Sequence, residues 1–139
     1  ALDDYDQLIR LVKNQNLEGK VIFPGYISNE ELRNFFQNAS AYIFPSSNEG
    51  FGLPVLEAFS FGLPVIISNQ GALKEVAGDA ALILNENTCE NLVQSMIQIL
   101  EDESLRQRLS VNGINRLKEF TTKKFFLSLE HTFKDILNE

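Results

Sequence analysis

Two glutamates, Glu49 and Glu57, stand eight positions apart in the stretch SSNEGFGLPVLEAF. Gly50, Gly52 and Pro54 lie between them, and from Gly50 to Leu73 the only charged residue is Glu57. The glycines permit backbone angles that other residues avoid and let a ligand approach the main chain. A helix opened by Pro54 presents unpaired N–H groups and the positive end of its dipole, so EGFGLP followed by a helix reads as a cradle for phosphate or another oxyanion. Burying an unpaired carboxylate costs several kcal/mol or more, so Glu57 is expected to be paired or to face a polar cleft. Its two oxygens can accept from adjacent hydroxyls such as those of a ribose. Glu49, at the mouth of the turn, could accept from the hydroxyls of a second ring. Together they suit a ligand made of a sugar, a diphosphate and a ribose, provided both point into one cleft. The plainer readings are an acid favoured by the helix dipole for Glu57 and an exposed loop acid for Glu49.

The surrounding elements must position that stretch. Apolar spacing predicts a helix over Asp4–Asn14, and Lys20–Phe23 reads as a short strand ended by Pro24-Gly25. Ser28-Asn29-Glu30-Glu31 matches a capping box ahead of Leu32, Phe35 and Phe36. Ala41–Phe44, Pro64–Ser68 and Ala80–Leu84 read as three further strands. A helix runs from Pro54 to Phe61 with Gly62 as its stop, and a short helical turn spans Ala72–Val76. Thr88–Leu100, Glu103–Phe120 and Thr122–Leu137 read as helices. Strands separated by helices imply an α/β fold, a parallel sheet flanked by helices with a helical C-terminal segment. Near-continuous apolar strands fit burial on both faces. Such sheets bind ligands at the carboxyl ends of their strands, which singles out Gly25-Tyr26-Ile27, Pro45–Leu53 and Ser68–Leu73. The phenylalanines at 35, 36, 59, 61, 125 and 126 are expected in the core.

Bulk properties narrow the alternatives. A chain of 139 residues with 44% hydrophobic and 22% charged residues is one ordinary globular domain. A net charge of −7 argues against a nucleic-acid footprint and against attraction to anionic lipid. Cys89 is the single cysteine, so an internal disulfide and a cysteine metal cluster are excluded. No signal peptide is expected, and a cytoplasmic location is the simplest reading. Asp4-Tyr5-Asp6 has the DxD spacing of metal-dependent sugar transfer but starts a predicted helix. His131 reads as a surface or packing residue. Ser46 and Ser47 have no histidine to activate them. A flavodoxin-like signalling domain would need an aspartate at a strand end, and none stands there.

The segment PSSNEGFGLPVLEAFSFGLPVIISNQGALKEVAGDAALIL closely resembles the nucleotide-binding half of the retaining glycosyltransferases of family 4, also called group 1. Their GT-B architecture sets two Rossmann-like domains across a cleft. Glu49 and Glu57 match the family's pair of glutamates with seven residues between them, and VIFPGYIS and RLKEFTTKKF add to the likeness. The resemblance covers roughly residues 17 to 135. It implies transfer of a sugar from a UDP-, GDP- or ADP-sugar to an acceptor hydroxyl with retention, in polysaccharide or glycoconjugate synthesis. It implies that Glu57 holds the ribose and that Glu49, the candidate catalytic residue, contacts the donor sugar. Gly50, Phe51, Gly52 and Leu53 would bind sugar hydroxyls and diphosphate through their backbone, with Tyr26 and Ile27 near the nucleobase. No cofactor or metal is implied.

Departures from the family shape the remaining expectations. No counterpart of the basic Arg/Lys pair that neutralises the diphosphate precedes residue 17, where only Arg10 and Lys13 stand. Lys74 stands where a proline is common. Residues 1–139 are therefore expected to be a single, partial C-terminal domain that lacks its first strand or strands and the acceptor-binding N-terminal domain. Such a piece is expected to be inactive alone, to leave a sheet edge open to self-association, and to contact membrane, if at all, through the absent parts. The alternative in another class is a non-catalytic nucleotide- or sugar-phosphate-binding module of the same fold.

Overall fold

The computed structural model describes residues 2–137. They fall into two compact units, Ala1–Leu32 and Arg33–Glu139.

The first unit begins with helix α1 (Leu2–Asn14). Asn16, in the left-handed region at φ 53°, ends it, and Leu17 N–H reaches back to Val12 O at 2.9 Å. Tyr5 packs edge-on against Phe23, with ring centroids 5.6 Å apart. The strand expected at Lys20–Phe23 is not formed. Lys20 and Val21 both donate to Leu17 O, at 3.0 and 3.1 Å, so their N–H groups serve a local turn. Only a single bridge, Glu18 to Val21, is made, and Ile22 is left 70% exposed. Helix α2 (Asn29–Asn38) starts at the expected capping box. Glu31 N–H donates to Ser28 Oγ at 3.2 Å, and Ser28 N–H donates to Glu31 Oε2 at 2.8 Å. Donation to that carboxylate by the Ser28 N–H and, second, by the Ser28 hydroxyl holds it below the ordinary glutamate range.

The second unit is built on a parallel sheet of β1 (Tyr42–Phe44), β2 (Val65–Ile67) and β3 (Ala81–Ile83), in the order β1-β2-β3. Tyr42 pairs with Val65, and Val65 with Ala81. Helices α3 (Leu53–Ser60) and α4 (Leu73–Ala77) connect the strands. Helices α5 (Cys89–Glu101), α6 (Glu103–Leu117) and α7 (Thr122–Leu137) follow. The α/β class and its helical C-terminal segment are thus as expected, with three strands in place of four.

Strand β2 is buried on both faces, and its alternation sorts the core. Val65 and Ile67 join Val55, Phe59, Leu73 and Val76 beneath α3 and α4. Ile66 points the other way, to Leu84, Ile99, Leu105 and Leu109 under α5 and α6. Helix α6 crosses between the clusters because Gly113 lets it approach α3, where a Cβ would stand 2.7 Å from Phe59 Cδ1. The expectation for the phenylalanines needs correction. Phe36 and Phe59 are buried and Phe61 is half-buried, but Phe35, Phe125 and Phe126 are 50–63% exposed. Phe125 and Phe126 lie on α7, which buries none of its residues. No helix among the described residues is long and apolar enough to cross a membrane.

Candidate functional site

The loops that leave the carboxyl ends of β1, β2 and β3 are tied to one another. Ser68, fully buried just past β2, donates its hydroxyl to Ser46 O after β1. Asn87, past β3, donates its amide to Pro45 O at 3.0 Å. Ala72 N–H points at Glu49 O at 3.5 Å, and Gly71 lies flat against the same peptide. A Cβ on Gly71 would stand 2.9 Å from Glu49 O. Glu49 therefore sits on a backbone fixed from both neighbouring loops. The third loop at this edge of the sheet is the one carrying Asn87. Gly25-Tyr26-Ile27 follows no sheet strand, since Lys20–Phe23 is not one.

From Glu49 the chain turns through Gly50, Phe51 and Gly52 into α3. Gly52 caps the helix at φ 92°, ψ 44°, a region that suits glycine. The space does too, because a Cβ there would lie 2.5 Å from Leu73 Cδ2, and Leu73 is fully buried. No side chain caps the helix. Pro54 has no N–H and stands second in α3, not first as expected, while Val55 N–H donates back to Gly52 O at 3.0 Å. The donors left over are the amides of Gly50, Phe51, Gly52 and Leu53, none of which finds an acceptor among the described residues. The free donors among the described residues thus lie in the glycine turn more than in the first helical turn.

Burial of Val55, Leu56, Ala58 and Phe59 leaves Leu53, Glu57 and Ser60 as the outward stripe of α3. Glu57 is exposed and Glu49 half-buried, and no ion pair or hydrogen bond engages either carboxylate among the described residues. Tyr42, half-buried in β1 against Phe36 and Phe44, reports on both. Burial first, and then the charges of Glu57 and Glu49, hold its phenol above the ordinary tyrosine value. Both carboxylates therefore bear on the same phenol.

The structure brings together Glu49, Gly50, Phe51, Gly52, Leu53 and Glu57 of the expected site. Tyr26 and Ile27 belong to the first unit, where Tyr26 is fully exposed and Gly25 stands at φ 66°. Tyr42, Gly71 and Arg116, whose guanidinium donates to Val76 O and Glu75 O on α4, were missed. Gly71 lies in a loop already singled out. Tyr42 carries no motif, and Arg116, although it opens the RLKEFTTKKF segment, is tied to the site only by contacts between distant elements. A groove of about 550 Å³ runs beside the turn between Phe51, Leu53 and Leu56 and the start of α7 at Thr122, Phe125 and Ser128.

The profile described as glycosyl transferases group 1 matches residues 2–116. The O-antigen chain mannosyltransferase B of Escherichia coli is 38% identical over 116 residues, which is 84% of this chain and 30% of that protein. A sucrose-phosphate synthase from Thermosynechococcus elongatus superposes with TM-score 0.79 at 27% identity, over 98% of this chain and 35% of that one. The C-terminal domain of a group 1 glycosyl transferase family protein from Francisella tularensis superposes with TM-score 0.74 at 27% identity, over 84% of this chain and 62% of that one. The chain thus spans about a third of the length of the mannosyltransferase and of the sucrose-phosphate synthase.

Proposed function

The chain belongs to the group 1 glycosyl transferases, and from that premise we propose that its Glu49–Glu57 segment binds the donor, a nucleotide-diphosphate sugar. The observation that carries this reading is a run of unpaired amides, Gly50 to Leu53, lying between two unpaired carboxylates at the carboxyl end of a parallel sheet. Turn amides and the positive end of α3 suit the diphosphate, whose negative charge grows as its bond to the sugar breaks. Glu57 accepts from the ribose hydroxyls and Glu49 from the donor sugar beside the reacting carbon. The longer protein transfers the sugar to an acceptor hydroxyl with retention, without a metal. This chain supplies the donor half and does not turn over alone. The names of the relatives favour hexosyl donors.

Titration of the chain with GDP-mannose and UDP-glucose by calorimetry tests this reading. Saturable binding is expected, with Glu57→Ala reducing affinity at least about tenfold through loss of a charge-assisted pair of hydrogen bonds. Glu49→Ala is expected to weaken the nucleotide sugar and to spare the free nucleoside diphosphate. No binding at millimolar donor, or binding indifferent to Glu57, overturns the assignment.

A further inference from the structure

We propose that Arg116, at the end of α6, is a positioning residue that holds the Glu49–Leu53 turn from two sides. One arm runs through α4. Arg116 Nε donates to Val76 O at 2.9 Å and Nη2 to Glu75 O at 2.6 Å, so the fork occupies carbonyls at the C-terminal end of that helix, where a cation is favoured. The chain leading into α4 carries Gly71 and Ala72, which press on the Glu49 peptide. The other arm runs through an aromatic pair. The Arg116 guanidinium lies 5.1 Å from the centre of the Phe120 ring, and Phe120 meets Phe51 edge-on at 5.8 Å. Phe51 is the middle residue of the glycine turn.

The two arms close a ring around a small cavity of about 180 Å³ lined by Gly50, Phe51, Ala72, Val76, Arg116 and Phe120. With that space behind it, the turn takes its position from the ring's rim. Only arginine serves both arms, because its fork donates in its own plane while its face remains open to an aromatic ring. A lysine at this position can meet the α4 carbonyls but has no planar face for Phe120. Where the arms end on donor-binding groups, the inference rests on the donor reading above. The mechanical claim about the turn does not.

The test is ¹⁵N relaxation of the 139-residue chain, with titration of GDP-mannose and UDP-glucose alongside. Arg116→Gln should drop the amide order parameters of Gly50, Gly52 and Ala72 from about 0.85 towards 0.6, with those of Val65–Ile67 unchanged. Arg116→Lys and Phe120→Leu should loosen Gly50 and Gly52 but spare Ala72. A merely structural arginine would loosen turn and strands alike or move neither, and either result overturns the proposal. Where wild type binds donor, Arg116→Gln should weaken it about tenfold, as displaced binding groups do. Absence of donor binding by wild type would sink the donor reading and leave the order parameters to decide this one.

Discussion

Helix α3 buries four of its eight residues, whereas α7 buries none of its sixteen. Both are rich in apolar side chains. In α3 those side chains lie on β2 and against Gly113 of α6, so the helix has one rotation about its axis and one outward stripe. Glu57 is on that stripe because its neighbours are buried. In α7, Phe125, Phe126, Phe133 and Ile136 are each more than half exposed. Its fixed features are local: pairs between Lys134 and Glu130 at 2.6 Å and between His131 and Asp135 at 2.8 Å, and a bridge from Lys124 to Glu119 at 2.7 Å. Exposed pairs of this kind are screened by solvent and hold a helix in place only weakly. Periodicity makes both segments helices, but only tertiary burial gives a helix the precision that a binding group needs.

The contrast is broken most severely by Phe59→Ala. It removes the fully buried ring that meets Gly113, and should cost about 3–5 kcal/mol in urea unfolding. A loss below about 1 kcal/mol would mean that α3 is not anchored as described. Gly52→Ala comes next. It forces a Cβ into the left-handed region and onto buried Leu73, so about 1–3 kcal/mol should be lost. Donor binding should fail along with it, since the turn cannot keep its shape. Phe133→Ser on α7 should change stability by no more than about 0.5 kcal/mol, as at other exposed positions. A large loss there would show that α7 is packed after all and would erase the difference between the helices.

How far these features could be read from sequence follows the same division. The Ser28–Glu31 capping box, the turn of Gly50 and Gly52 and the alternation of β2 with its helices are local patterns, and each is present. Lys20–Phe23 has the apolar content of a strand, but strand formation needs a partner, and Leu17 O captures two of its amides first. Phe125 and Phe126 look like core residues because composition cannot say what an apolar face meets. The support of the site was least legible. Arg116 stands 40 residues from Val76 and Gly71 stands 22 from Glu49, and no spacing rule links residues so far apart. Glu49 and Glu57 could be found because only a glycine turn and one helical turn separate them along the chain, which is a short-range pattern.

The smallest effect concerns the phenol on which both carboxylates bear. Tyr42 has its phenol raised above the ordinary value, first by burial and then by Glu57 and Glu49. Protonated, the phenol is neutral, and both burial and adjacent negative charge favour that form. The folded value therefore lies above the unfolded value of about 10. The stabilisation is fully present below that pH and is lost as pH rises through the folded value. Following the Tyr42 ring carbon by NMR, Glu57→Gln should lower the midpoint and Glu49→Gln should lower it less. Neither should remove the whole shift, because burial is its larger cause. If both variants left Tyr42 unmoved, Glu49 and Glu57 would not share the surroundings of that phenol. The turn amides would then lie beside two unrelated acids, and α3 would differ from α7 in packing but not in having a site to hold.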